Sequence, residues 1–168
     1  MPRVACEKPS EWELKQIIAV ARYLYGVDIS PLLKSKSVCI SRSPATGRIR
    51  HVYLDGVLAA SLRSSDGFLV FTPTGWKMLR EASLTSHEVV IPPDVASFIA
   101  EGRSLFSKHV RAANPEILPG DEVCIVSEGR VIAAGKAVLP GKDMGVIRRG
   151  KAVKIRKGVG EVKKRVNS

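Results

Sequence analysis

The stretch from Gly102 to Val159 decides the fold. It contains GRSLFSKHV at residues 102–110, NPEILPGDEV at 114–123, AGKA at 134–137 and RGKAVKIRKGV at 149–159. Short apolar segments alternate here with glycines suited to tight turns, and lysines and arginines border them. The pattern predicts a small β-barrel with a surface that can hold a polyanionic chain.

Positive charge is concentrated in the same part of the chain. The 168 residues carry a net charge of +11, and Lys and Arg outnumber Asp and Glu by 12 to 10 over residues 1–102 but by 15 to 6 over residues 103–168. A localised positive field attracts an anionic partner, most commonly nucleic acid. An anionic membrane surface is the alternative.

The sequence carries no signal for membrane insertion or export. No stretch approaches the roughly 18 consecutive apolar residues of a spanning helix. The N-terminus also lacks the basic start and apolar core of a signal peptide. We therefore expect a soluble, cytoplasmic protein with no membrane partner.

Cysteines and histidines are scattered along the chain. Cys6, Cys39 and Cys124 are odd in number and form no CxxC pair, which predicts buried free thiols and neither a disulfide framework nor a zinc site. No spacing of Ser, His and Asp or of paired carboxylates indicates a catalytic centre. We expect no metal, no cofactor and no enzyme activity.

Residues 1–84 predict a small α+β domain. Ser10 begins a helix that ends at Gly26, and Pro31 with the segment after it predicts a loop. Strands are predicted at 38–41, 48–54, 57–63 and 68–72. Asp55-Gly56 predicts a two-residue hairpin turn, so the last three strands form an antiparallel meander. A second helix starts at Pro73.

Residues 88–159 predict a second domain after a linker-like stretch at 83–87. A strand and a helix ending at Gly102 come first. Strands are predicted near 88–91, 104–112, 121–127, 130–139 and 151–156. Many short strands with one helix favour a closed or partly closed barrel, because closure removes exposed sheet edges. Residues 160–168 form a basic tail.

Apolar spacing also predicts which side chains are buried. Five large aromatic residues are predicted to be core and not stacking platforms: Trp12, Trp76, Phe68, Phe71 and Phe98. Phe106 is also predicted to be core, with stacking of a terminal RNA base as the alternative. Along the last strand, alternation places Val153 and Ile155 in the core, and Ala152, Lys154 and Arg156 in solvent. Arg48 and Arg50 alternate with apolar neighbours, which predicts a solvated face, with a second RNA contact as the alternative.

Residues 88–159 resemble the PUA domain, an RNA-binding fold named after pseudouridine synthases and archaeosine transglycosylases. The resemblance is carried by Glu101-Gly102, the strand from Leu105, the turn at 119–121 and the last strand at 150–159. Upstream, TGRIRHVYLDG at 46–56, ASLR at 60–63 and SDGF at 65–68 resemble the small domain that precedes PUA in archaeal tRNA-guanine (archaeosine) transglycosylases.

The resemblance implies an α+β protein, with a small N-terminal helix–antiparallel sheet domain followed by a C-terminal PUA pseudo-barrel. Catalysis in that family belongs to a (β/α)₈ barrel, a fold of about 250 residues for which this chain has no room. The resemblance therefore implies a non-catalytic RNA-binding protein. It implies tRNA, near its acceptor stem and 3′ end, as the ligand, and a catalytic tRNA-modifying subunit as a further partner.

The same resemblance indicates the RNA-binding residues. In PUA domains the RNA backbone lies against the glycine-containing loop after the helix, which by position is Gly102-Arg103-Ser104. Glycine permits close approach of a phosphate, and the guanidinium and hydroxyl can bind it. Basic residues on or near neighbouring strands complete the predicted site: Lys108, Arg111, Lys136, Arg148, Arg149, Lys151, Lys154, Arg156 and Lys157.

Three other functions fit the sequence. A ribosome-assembly factor would bind rRNA through the same basic surface. A small RNA-modifying enzyme would need its site in the N-terminal unit. A protein-interaction module would present the basic surface to an acidic partner.

Overall fold

The computed structural model describes residues 6–160. The chain divides into two compact units, Met1–Leu84 and Thr85–Ser168. The basic tail predicted at 160–168 lies outside the described residues from position 161 onward.

The first unit opens with α1 (Glu11–Tyr25). The predicted capping box is confirmed: Ser10 Oγ accepts a hydrogen bond from the backbone N–H of Glu13, whose side chain accepts one from Ser10 N–H. Gly26 ends the helix in the left-handed region with φ 68°. Ile17, with Ala21 and Tyr25, forms the buried stripe of the helix.

A four-stranded antiparallel sheet follows, in which strands adjacent in sequence are adjacent in space. Its strands are β1 (Val38–Arg42), β2 (Ile49–Leu54), β3 (Val57–Leu62) and β4 (Leu69–Phe71). Asp55 and Gly56 have φ values of 51° and 80°, which confirms the predicted hairpin turn. The predicted meander is therefore confirmed, and β1 extends it.

The segment after Gly26 was expected to be a loop, and that prediction is wrong. Ser30–Ser35 form a short helix, α2. Pro31 is tolerated because it lies in the first turn, where its missing N–H has no helical partner. Leu32 and Leu33 are buried, so the helix is held by tertiary packing, which local sequence does not report.

Helix α3 (Pro73–Glu81) completes the first core. It packs so closely on β3 that a Cβ at Gly75 would lie 2.0 Å from the carbonyl oxygen of Ala59. Trp76 and Phe71 are buried as predicted, with ring centroids 5.1 Å apart. Trp12 was expected to be core but is 68% exposed, because it faces away from the buried stripe of α1.

The cysteine prediction is also wrong for two of the three residues. Cys6 and Cys39 form a disulfide, with Cα atoms 5.6 Å apart. A two-way backbone pairing between Glu7 and Ile40 brings the N-terminal segment against β1 and so places the two thiols together. Cys124 is free and buried.

The second unit contains six strands and one α-helix within its described residues. In chain order these are β5 (Glu88–Val90), α4 (Pro93–Ala100), β6 (Leu105–Phe106), β7 (Ala112–Ala113), β8 (Glu122–Ser127), β9 (Arg130–Ala137) and β10 (Lys151–Gly158). The sheet order is β6-β10-β9-β8-β5-β7, with β5 and β8 parallel and the other pairs antiparallel.

The connection between β6 and β7 requires this sheet to curl. These strands lie at opposite ends of the sheet order, which in a flat sheet would separate them by about 24 Å at about 4.8 Å per strand. The six steps from Phe106 to Ala112 span at most about 20 Å when fully extended. A 3₁₀ turn at Ser107–His109 shortens them further. The sheet therefore closes into a half-barrel around Val123, Ile125 and their neighbours.

Two predictions for this unit need correction. The strand expected at 104–112 is split by the 3₁₀ turn, because the chain must cross from one edge of the sheet to the other. Ala152 is fully buried, although alternation placed it in solvent. The register of β10 shifts between Lys151 and Val153, so consecutive residues both point inward.

His87, near the start of the second unit, is a buried imidazole. Burial lowers its pKa from the ordinary value of 6.5, although Asp121, with Oδ2 3.4 Å from Nε2, acts in the opposite direction. Below pH 6.5 the unfolded chain binds a proton that the folded chain does not, so stability falls as pH falls through this range.

We predict that His87→Asn removes part of this pH dependence. Asparagine tolerates the φ of 52° at this position. Between pH 6.5 and 5.5 the wild-type free energy of unfolding should fall more steeply than that of the variant, by up to about 1.4 kcal/mol per pH unit. Urea denaturation followed by circular dichroism measures both slopes, and parallel slopes would contradict the assignment to His87.

Candidate nucleic-acid interface

The loop after α4 is shaped by Gly102. Its φ of 96° lies where side-chain-bearing residues are strained, and its N–H donates to the carbonyl of Ile99 at 3.0 Å. Arg103 N–H donates to the carbonyl of Phe98, so the chain folds back over the last helical turn. Gly102 and Ser104 are both partly exposed, which leaves this backbone accessible to a ligand.

This loop runs beside the second half of β10. At one end, the N–H of Gly160 donates to the carbonyl of Ala100 at 2.8 Å, and a Cβ at Gly158 would lie 2.1 Å from the same oxygen. At the other end, Leu105 pairs with Val153. Residues 101–104, which lie between Ala100 and Leu105 in the chain, therefore run along residues 154–159.

Arg103 is held in place by an aromatic ring. Its guanidinium carbon lies 5.4 Å from the centroid of the Phe98 ring, a cation–π distance. The prediction that Phe98 is core is wrong, since it is 49% exposed and lies at the surface beneath Arg103. The stacked guanidinium is exposed and keeps N–H groups available for an anion.

Lys154 and Lys136 form a row of like charge across two strands. They are paired in register between β10 and β9, and both are exposed. Directly opposed like charges in a sheet are destabilising, and a bound anion relieves the repulsion. Lys157 is exposed on the same strand, close to the end that meets α4.

Arg156 has a different environment. Its Nη2 donates to Oε1 of Glu122 at 2.6 Å, and the Glu122 side chain is 2% exposed. A buried carboxylate requires a counter-charge, so Arg156 has an intramolecular role. Spacing along β10 does not reveal this pair, because Glu122 lies on β8.

A second group of cations gathers where β6 meets the start of β10. Ser107 N–H donates to the carbonyl of Gly150, and Ser107 Oγ accepts from Gly145 N–H, which brings the 3₁₀ turn against the loop before β10. The exposed cations brought to this place are Lys108, Arg148, Arg149 and Lys151.

Apolar side chains are exposed in the same place. Phe106 pairs with Lys151 and is 45% exposed, although it was expected to be core. Val146 and Ile147, in the adjoining loop, are also exposed. Cations interleaved with an exposed ring suit a nucleic-acid strand, because phosphates bind the former and bases stack on the latter.

Arg111 is exposed but lies in a different part of the sheet. Its N–H donates to the carbonyl of Val90, which attaches it to β5 and not to β10. The structure therefore brings together the predicted residues on and around β10. Arg111 is bound to β5 through its backbone, and it directly follows Val110, whose carbonyl oxygen would lie 2.7 Å from a Cβ at Gly145 in the loop before β10.

Within residues 6–160 no three or more His, Cys, Asp or Glu side chains gather where they could hold a metal ion. None of the helices in that range has the length and apolar character needed to span a bilayer.

The chain matches two family models. Residues 87–159 match the PUA domain, and residues 15–84 match the patch-forming domain C2 of tRNA-guanine transglycosylase. The fold and these matches define a PUA-domain protein. Its two units are, in order, the C2 and PUA domains that form the C-terminal portion of archaeal tRNA-guanine transglycosylases. The predicted resemblance and fold class are confirmed.

Individual relatives agree with this assignment. The chain is 36% identical over 149 residues to tRNA-guanine(15) transglycosylase of Methanobrevibacter smithii, covering 88% of this chain and 23% of that protein. It is 35% identical over 156 residues to the Pyrococcus abyssi protein of the same name, covering 91% and 26%. The chain thus spans about a quarter of the length of these curated relatives.

A solved structure shows the same fold. A hypothetical protein from Pyrococcus horikoshii superimposes with a TM-score of 0.74 and 22% sequence identity, over 97% of this chain and 99% of that chain. At this identity the likeness supports the fold alone.

We predict that Arg156→Gln destabilises the second unit by about 2 kcal/mol or more, because it removes the guanidinium that pairs with the buried Glu122 carboxylate. Lys154→Gln, on the same strand and without a carboxylate partner, is the matched control and should change stability by less than about 0.5 kcal/mol. Chemical denaturation followed by circular dichroism measures both.

The double variant Glu122→Gln with Arg156→Gln should regain part of the loss, since the buried charge is then removed as well. Equal destabilisation by Arg156→Gln and by the control Lys154→Gln would show that the ion pair does not contribute the stability assigned to it.

Proposed function

We propose that this protein binds RNA through its PUA unit and recognises tRNA near the acceptor stem and 3′ end. In this proposal it is a non-catalytic subunit that presents tRNA to a modifying enzyme. The observation that carries the proposal is the accessible Gly102 loop lying beside the exposed lysines of β10. The tRNA-guanine transglycosylases among its relatives support tRNA as the ligand.

The geometry suggests how such a complex forms. Lys151, Lys154 and Lys157 neutralise phosphates along one strand of the acceptor stem. Because Gly102 has no side chain, the sugar–phosphate backbone of the adjoining single strand can approach the main chain of this loop closely. Arg103, already oriented on Phe98, binds a phosphate through its fork of N–H groups.

Exposed Phe106 gives the unpaired 3′ end a surface on which to stack. Arg156 contributes less to binding than its neighbours, because Glu122 already offsets its charge. In this scheme the protein recognises the shape of the RNA and its free 3′ end, and it does not recognise the base sequence.

We predict that Lys154→Gln with Lys157→Gln weakens tRNA binding by about tenfold or more and makes its salt dependence shallower by about two in the logarithmic slope. Arg130→Gln with Lys142→Gln, which removes two exposed charges outside the predicted site, is the matched control. Filter binding or fluorescence anisotropy over a salt series gives both quantities.

The tRNA itself provides the second arm of this experiment. Removal of the unpaired 3′ nucleotides should weaken binding to the wild type. Equal affinity for intact and truncated tRNA would contradict recognition of the 3′ end, and tighter binding to rRNA fragments would favour a role in ribosome assembly. Modified nucleosides formed by this chain alone would contradict the non-catalytic assignment.

A further inference from the structure

A cleft of about 580 Å³ opens within the first unit. Its walls are one face of α1 and the two hairpin turns that connect β1 to β2 and β3 to β4. Because both turns follow odd-numbered strands of an antiparallel meander, they project from the same end of the sheet. The cleft therefore lies at the sheet end opposite the Asp55-Gly56 turn.

The two turns are built alike. In the first, Ser43 N–H donates to the carbonyl of Arg48 and Gly47 N–H to that of Ser43. In the second, the same pattern joins residue 63 to residues 67 and 68. The two turns therefore have the same backbone geometry, and both contribute to the wall of the cleft.

Four arginines line this cleft, and two of them are already neutralised. Arg42 pairs with Glu7 and with Glu13, the latter at 2.8 Å. Arg63 pairs with Asp66 through two hydrogen bonds of 3.2 and 2.7 Å. These pairs fix the walls, and their carboxylates offset the charge of the two guanidinium groups.

The other two arginines carry uncompensated charge. Arg48 and Arg50 are exposed, and both line the cleft. Within residues 6–160 neither side chain has a hydrogen-bond or ion-pair partner. Two free guanidinium groups on one wall suit a phosphate, which accepts bidentate hydrogen bonds.

The rest of the lining suits a flat, apolar ring system. Ile17, Val20 and Leu62 contribute aliphatic surface. The volume lies within the range of about 300–1,000 Å³ usual for small-molecule sites and exceeds what a bare phosphate needs.

Two exposed aromatic residues lie on the same stripe of α1 as residues of the cleft wall. Trp12 precedes Gln16 by one helical turn, and Tyr23 follows Ala19 by one turn. They are 68% and 86% exposed, unusually high for such large rings. Exposed rings beside free arginines are the combination on which nucleotide bases stack.

From these observations we infer that the cleft binds one nucleotide, with its phosphate on Arg48 and Arg50 and its base against the apolar wall. The nucleotide belongs to a single-stranded segment of RNA, and in this respect the inference rests on the proposed function. A free mononucleotide has the same chemistry and is the other source that the experiment must separate.

Tryptophan fluorescence reports on the part of α1 next to this cleft, because Trp12 lies one helical turn before Gln16 in the cleft wall. Trp76 is 3% exposed, so quenching by an added ligand arises from Trp12, and Trp12→Phe removes the signal. The probes are a ten-nucleotide single-stranded RNA of mixed sequence and adenosine 5′-monophosphate. Arg48→Gln with Arg50→Gln should raise the apparent Kd for the RNA probe by about tenfold or more. Lys34→Gln with Lys77→Gln removes the same amount of charge from the first unit at positions outside the cleft. This control variant should leave the apparent Kd for the RNA probe unchanged.

The outcomes separate the alternatives. Quenching by RNA alone assigns the cleft to an RNA strand, and equal quenching by the mononucleotide assigns the same site to a free nucleotide. Absence of quenching by both probes, or equal weakening by the two double variants, would overturn the inference. The titration is repeated with the variant that carries both Lys154→Gln and Lys157→Gln. Quenching that persists there, whatever happens to tRNA affinity, shows that the cleft acts independently of the PUA surface.

Discussion

The second unit depends on a connection that is too short for a flat sheet. Residues 107–111 join strands at opposite ends of the sheet order, and the sheet can accommodate them only by curling until those ends approach each other. β6 pairs with β10, and that pairing places the Gly102 loop beside Lys154 and Lys157. Closure carries this edge of the sheet, with the candidate interface on it, toward β7 at the other end of the sheet order.

Charge on this surface is only partly balanced from within. Glu122 forms an ion pair with Arg156, and because the carboxylate is buried, loss of this pair would destabilise the fold. Lys136 and Lys154 stand in register as exposed like charges, and Glu122 is in register with Lys136 on its other side. The fold therefore neutralises Arg156 internally and keeps two lysines exposed on neighbouring strands, where like charges repel each other.

Local signals gave much of the fold. The capping box at Ser10 and the Asp55-Gly56 turn depend on neighbouring residues, and they were predicted correctly. The errors depend on distant partners: α2 is held by tertiary packing, and the Cys6 disulfide by pairing with β1. For the site, the order of motifs indicated the Gly102 loop, whereas the Glu122 partner and the arginine cleft arise from residues far apart in sequence. RNA contact by any of these residues stays a prediction.

The position of β10 inside the sheet has a consequence for biosynthesis. This strand, late in the chain, lies between β6 and β9, so neither partner completes its pairing until residues 151–158 have left the ribosome. The first unit, with all its strands before residue 72, is free to fold much earlier during translation. The nascent PUA unit must therefore wait, with β6 and β9 unpaired on one side, for its last strand to arrive.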